Sequence, residues 1–403
     1  MNKKEQRNLI LILGALAALG PFSIDTYLPG FPSIAEDLNT SISKVSLTLT
    51  SYFIGISVGQ LIYGPMLDRY GRKRPLVFGL GLYFLTSVAC IFVPTVDALI
   101  GLRLLQALGG CVGMVATRAI VRDRFEANEI ARVFSSLILI MGVAPIVAPT
   151  VGGYITDALG WRYIFVMLSV FSAVLILILH NFLSESKGAD QSVSLKPKSI
   201  AYNYWNVLRQ QDFLLYGFAG SMAMAGLFVY IAGSPFVFME LLGFSEKTYG
   251  WIFGLNAMGF ITGSQLNRYL LKKRDSERVT IVSAILMFSV SLLTLAGTAA
   301  DALTTFVFCA LIFAFMFFLG FVNPNTTAMA LAPFEKNAGV ASALIGSIRM
   351  LGGALSTGLI GVLHDGSIYP MLYLMFFCAV IVITLVLIAR YRTSKSLLVL
   401  SQE

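Results

Sequence analysis

Two ionisable residues stand where apolar sequence ought to exclude them. Asp25 lies in Pro21-Phe-Ser-Ile-Asp25-Thr-Tyr-Leu-Pro29, and Arg103 in Leu99-Ile-Gly-Leu-Arg103-Leu-Leu-Gln106. A charge inside a bilayer costs about 2.5–3.5 kcal/mol even on insertion scales, so each needs a reason to be there. A carboxyl can bind and release a proton; desolvation favours its neutral form, and a nearby guanidinium favours its charged form. A motion that alters the Asp25–Arg103 distance, or a substrate competing for the carboxylate, would then couple proton binding to transport. A static ion pair, or an Asp25 exposed at the outer interface, would account for the same residues without chemistry. Later in the chain Arg349 is a lone cation with no buried acid in its half. It is expected to face a water-filled cavity and attract anionic or polar groups, unless it snorkels. Asn256, Gln265, Asn323 and Asn325 add hydrogen-bonding groups that serve substrate contact or helix-to-helix bonding equally well.

A second concentration of charge is the run Gly64-Pro-Met-Leu-Asp68-Arg69-Tyr-Gly71-Arg72-Lys73-Arg74 between two long apolar stretches. So short and basic a loop reads as a tight cytoplasmic hairpin between membrane helices. Gly64 and Gly71 would permit close helix contact and a tight turn, Asp68 can accept from a helix N-terminus, and Arg72 can pair with Asp123. These residues are the expected cytoplasmic gate; ordinary topology-setting charges are the simpler alternative. The run has a degraded twin, Gly263-Ser-Gln-Leu-Asn267-Arg-Tyr269, 199 residues later, with Asn267 in place of the acid. A repeat of half the chain length points to a transporter built of two related halves.

The elements that must position these residues are membrane helices. Of 403 residues 57% are hydrophobic and 12% charged, about half the charged share of soluble domains, and the mean hydropathy is +0.80. At about 20 residues per crossing, twelve spans are expected: about 8–28, 43–67, 75–94, 98–121, 131–155, 162–183, 213–239, 247–270, 278–299, 302–332, 338–363 and 369–390. The fold class is all-α, with six-helix bundles at 1–183 and 213–403 joined by a polar linker at 184–212. Termini and even-to-odd loops hold 23 Lys and Arg against three in the opposite loops, which places both termini in the cytoplasm. The net charge of +8 is explained by this asymmetry, so no nucleic-acid partner is expected. Gly55-x-x-x-Gly59, Gly109-x-x-x-Gly113 and Gly259-x-x-x-Gly263 suit close helix packing. The first and last of these fall in corresponding spans, as for helices on which the halves move against one another.

Four cysteines lie inside apolar runs without Cys-x-x-Cys spacing, and two histidines lie far apart, so neither a metal site nor a disulfide framework is expected. The first apolar run is too long for a signal-peptide core and lacks a cleavage site, so it is expected to stay as a span. The chain carries no phosphate-binding Gly-x-x-x-x-Gly-Lys-[Ser/Thr] loop, no His-Glu-x-x-His and no Gly-x-Ser-x-Gly. It is expected to be no enzyme and to use no cofactor, and its transport must draw on an ion gradient or run downhill.

The loop at 64–73 resembles the loop 2–3 signature of the major facilitator superfamily, Gly-x-Leu-Ala-Asp-Arg-x-Gly-Arg-Lys. Leu99-x-x-x-Arg103-x-x-Gln106-x-x-Gly109 resembles its fourth-helix motif, and Ala148-Pro149-Thr-Val-Gly152-Gly153 its fifth-helix antiporter motif, with Ala148 for the usual Gly. Ser23-Ile-Asp25-Thr-Tyr-Leu-Pro29-Gly-Phe-Pro32, Thr117-Arg118-Ala-Ile-Val-Arg122-Asp123 and Gly160-Trp161-Arg162-Tyr-Ile-Phe165 are similar to runs of the twelve-span drug/proton antiporters of the Bcr/CflA (bicyclomycin and chloramphenicol resistance) family. The resemblance implies a monomeric multi-pass protein of the bacterial inner membrane that exports small, largely apolar drugs in exchange for protons. It also implies Asp25 as the proton-linked acid and Arg103 as its buried partner. A proton-coupled transporter of one metabolite, such as a sugar, nucleobase or amino acid, is the alternative.

Overall fold

A backbone in hydrocarbon finds no water to bond, so each crossing must satisfy its own N–H and C=O groups as a helix. The computed structural model describes residues 3–191, 197–334 and 338–400; the middle of the linker and Lys336 lie outside the described residues. Within them every regular element is helical: α1 (Lys3–Asp25), a 3-10 turn (Leu28–Gly30), α2 (Phe31–Asp37), α3 (Ile42–Tyr70), α4 (Lys73–Ile91), α5 (Val96–Arg124), α6 (Ala127–Leu159), α7 (Arg162–Phe182), α8 (Pro197–Leu208), α9 (Gln211–Pro235), a π turn (Phe236–Leu241), α10 (Glu246–Leu270), α11 (Ser276–Ala299), α12 (Thr305–Leu331), α13 (Ala338–Val362) and α14 (Tyr369–Leu400). All but α2 and α8 are long enough to cross a bilayer, and each overlies one expected span. Among the described residues ten stretches are both long and apolar enough to do so by composition.

Side chains set the helix ends. Ser41, Thr95 and Thr304 accept from the backbone N–H three residues on, which caps α3, α5 and α12. Asp275 accepts from Glu277 and Arg278 at the start of α11. Within the 184–212 linker α8 forms, exposing Tyr202 and Trp205 while Val207 is buried.

The chain divides into two compact units, Met1–Ala201 with Pro235–Gly254, and Tyr202–Ser234 with Leu255–Glu403. In the first, α3 and α4 pack on α5, α4 on α7, and α1 on α6; in the second, α11 packs on α12 and α14. Gly55 lies against the Leu104 carbonyl of α5, and Gly263 against the Phe317 carbonyl of α12, so close that no Cβ would fit. The paired glycines therefore fasten the second span to the fourth inside each half, by the same device twice.

Candidate functional site

Arg103 projects from α5 into a fully buried position, 0% exposed. Its charge is met by aromatic faces and neutral oxygens. The guanidinium lies 4.1 Å from the Tyr52 ring centre, 4.6 Å from Tyr27 and 5.9 Å from Phe165. Nη1 donates to Gln106 Oε1 at 2.6 Å, Nη2 donates to the Ser23 carbonyl of α1 at 2.9 Å, and Nε has no hydrogen-bond partner among the described residues. Gln106 in turn donates to Ser87 Oγ at 2.7 Å. Desolvated cation–π contacts of this kind contribute about 2 kcal/mol or more, which offsets part of the cost of a buried charge without an acid beside it.

Asp25 is the last residue of α1 and is 5% exposed. Its carboxylate enters no ion pair or hydrogen bond among the described residues. Arg103 and Asp25 are thus not paired in this structure; Arg103 bonds to α1 two residues earlier, through the Ser23 carbonyl. An acid so placed can take up and give up a proton without breaking a salt bridge. The glycines of the fifth-helix motif explain how α1 is held. Gly152 leaves no room for a Cβ against the Thr26 carbonyl, directly after Asp25. At Gly153 a Cβ would come within 2.8 Å of the Glu246 carbonyl, and at Gly250 within 2.8 Å of the Pro149 carbonyl. The α6 motif is therefore a seat for both the end of α1 and the Pro235–Gly254 hairpin. Ser33 Oγ donates to Glu246 Oε1 at 2.7 Å, and Lys247 Nζ lies 2.8 Å from Asp157 Oδ2, which adds polar fastenings at that end.

In the second unit Arg349 on α13 donates through Nη2 to Thr327 Oγ1 on α12 at 2.7 Å, and Gly220 on α9 leaves space for the guanidinium. Asn323 lies one turn before Thr327, and its buried Oδ1 has no hydrogen-bond partner among the described residues. Asn256 donates to Tyr230 OH at 2.8 Å, a helix-to-helix bond. Asn267 and Asn325 exchange amide bonds of 2.8 and 3.0 Å, both residues being buried.

The charged loop forms a network inside the first unit. Arg72 Nη1 donates to Asp68 Oδ1 at 2.7 Å, and its Nε to Asp123 Oδ2 at 2.8 Å. Burial opposes the Arg72 charge, and the two carboxylates outweigh it. Gly71 turns with φ +83, and a Cβ there would meet the Glu185 carboxylate at 2.9 Å. A Cβ at Gly64 would meet nothing within 4 Å, so the expected close helix contact is not made there. What the sequence hid is a strap, Ser184–Gln191. Glu185 accepts the Arg72 and Lys73 backbone N–H groups and so caps α4, and Ser186 donates to Asp123. Arg124 donates to the Ser184 and Glu185 carbonyls, the Asp190 N–H reaches the Asp68 carbonyl, and Arg69 donates to the Gln191 carbonyl.

The family model described as Major Facilitator Superfamily matches residues 11–357 and again 218–400. This chain belongs to that superfamily. Among curated relatives of this major facilitator protein, an uncharacterised MFS-type transporter, YdgK of Bacillus subtilis, is 34% identical over 94% of each chain. A bicyclomycin resistance protein homolog of Haemophilus influenzae is 32% identical over 92% of this chain and 93% of its own. The multidrug resistance protein MdtL of Escherichia coli is 29% identical over 93% of each. Of solved structures, the nucleoside transporter NupG aligns with a TM-score of 0.73 at 14% identity, covering 95% of this chain and 98% of its own. A bacterial homologue of the lysosomal transporter Spinster aligns at 0.71 and 12%, covering 96% and 95%. Those two likenesses carry the fold alone. The major facilitator protein is a multi-pass membrane transporter and not an enzyme.

Proposed function

We propose that this transporter exports small, largely apolar drug-like molecules by alternating access, in exchange for protons carried on Asp25. The observation that carries the reading is a buried acid outside any ion pair, at the end of the helix whose Ser23 carbonyl holds the buried Arg103. A proton added to Asp25 removes a charge from the end of α1, and the Gly152 seat passes any shift of that end to α6. Protonation as drug leaves, and deprotonation as cytoplasmic drug binds, would drive the cycle. The names of the bicyclomycin-resistance and multidrug-resistance relatives support drugs as substrates.

On this reading residues 1–183 and 213–403 are the two moving halves of a monomer in the bacterial inner membrane. Both termini lie in the cytoplasm, and the Asp68–Arg72–Asp123 network is the cytoplasmic gate. Arg349 and Asn323 contribute to substrate binding. The second reading, export or import of a single polar metabolite, draws on the unpartnered Asn323 Oδ1 beside the Arg349–Thr327 pair. A resistance panel in an overexpressing strain, run with wild type and Asp25→Asn together, separates the two. Several unrelated drugs should lose potency with wild type and regain it with Asp25→Asn. In purified protein, drug-driven proton release should fall to background in the variant. Full release from Asp25→Asn would overturn the coupling role, and resistance to none of the drugs would overturn the efflux reading.

A further inference from the structure

The second unit carries a cationic groove that the transport cycle leaves unused. It measures about 330 Å³ and is lined by Lys273, Arg274, Arg278 and Arg390, with Asp275, Glu277 and Ile281. Asp275 is committed to capping α11. Among the described residues Lys273, Arg274, Arg278 and Arg390 enter no ion pair. Four cations against one uncommitted acid make an anion site, and the fold says at what depth. Arg278 lies near the start of the apolar span Ser276–Ala299, and Arg390 near the end of Tyr369–Arg392. Both guanidinium groups therefore stand at headgroup level, on two helices that pack together.

The same helix faces continue into hydrocarbon. Val282 and Ile285 follow Arg278 at i+4 and i+7 on α11, and Leu387 precedes Arg390 by three on α14; all three are exposed. Tyr391, also exposed, adds an amphipathic ring at the boundary. A free phosphate would use only the cations. A phospholipid would use the cations for its phosphate and the apolar strips for its acyl chains. We propose that the groove holds the phosphate headgroup of an anionic phospholipid in the leaflet bordering this end of α11 and α14, bridging the two helices. Basic pockets between membrane helices are suited to such lipids.

The test uses the purified full-length protein and reads binding, so it stands apart from the efflux reading. Native mass spectrometry should show phosphatidylglycerol retained at least about tenfold more tightly than phosphatidylcholine of the same acyl chains. The double variant Arg278→Gln/Arg390→Gln should weaken phosphatidylglycerol binding by about thirtyfold, while Arg278→Lys/Arg390→Lys keeps most of it. Equal retention of the two lipids by wild type, or undiminished binding by the folded Gln pair, would overturn the proposal. Complete displacement by inorganic phosphate in millimolar excess would make the groove a phosphate site and overturn it too. If the Gln pair fails to fold, the wild-type lipid preference and the phosphate competition still decide.

Discussion

The two halves of the repeat fasten the same pair of helices with opposite chemistry. In the first unit the end of α3 is tied to the end of α5 through Asp68, Arg72 and Asp123. In the second, α10 is tied to α12 by the Asn267–Asn325 pair, Asn267 standing 199 residues after Asp68. The amide pair is buried and satisfies itself, so opening it exposes two amides and offers them nothing better. The ionic knot is half open to water, with the Asp68 side chain 47% exposed and Arg72 at 6%. Water and other donors can compete for Asp68 at modest cost. A fastening meant to be broken and remade is better built from the first chemistry, and a permanent one from the second.

Removing Arg72 should have the largest effect on stability. Arg72→Ala strands Asp123, 15% exposed, together with Asp68. Breaking a buried pair costs 3–5 kcal/mol; the exposure of Asp68 lowers the expectation to about 2–3 kcal/mol, read as thermal unfolding of the purified protein. Salt should weaken the wild-type contribution, and the variant should lose that salt dependence. Asn267→Ala should cost about 1–2 kcal/mol by leaving one buried amide unmet, with no change in salt dependence. Equal losses with equal salt responses would erase the distinction between the two fastenings.

How much of this was legible in the sequence depends on whether a residue signals alone or only through its neighbours. The spans are legible because hydrocarbon imposes one backbone solution on any long apolar run. Arg103 and Asp25 are legible because a charge there is costly. The partners of Arg103 are not, since Tyr27, Tyr52 and Phe165 come from three separate segments and stand among 30 Phe and 16 Tyr. Glycine spacing reveals that a helix is closely approached but not by which helix. That is why Gly55 and Gly263 suggest an inter-half surface and instead pack within their own units. The Ser184–Gln191 strap is invisible for a related reason. A polar segment reads as a linker, and nothing in its spacing shows that Glu185 folds back onto the start of α4.

The smallest expected effect belongs to the fastening at the fifth-helix motif, which combines both chemistries. Glu246 lies just before the 247–270 span, half-buried, bonded by Ser33 of α2 and near the Asp157 charge of α6, while the adjacent Lys247 meets Asp157 and the Tyr154 ring. Burial raises its carboxyl above the usual range; the Ser33 hydrogen bond opposes this and the Asp157 charge adds to it. An acid whose affinity for a proton is higher seated than released favours the seated form as pH falls through its raised pKa. That contribution is lost as pH rises above it. Spin labels on Thr248 and Ala158 should therefore report more seated hairpin at acidic pH than at neutral pH. Glu246→Gln keeps an acceptor for Ser33 and should flatten the profile near its acidic level. Asp157→Asn should lose the Lys247 pair, a weak contact where both groups are exposed, and leave most of the pH response in place. A wild-type profile independent of pH would show that titration of Glu246 does not govern the seat, and would place it with the Asn267–Asn325 pair among the permanent fastenings.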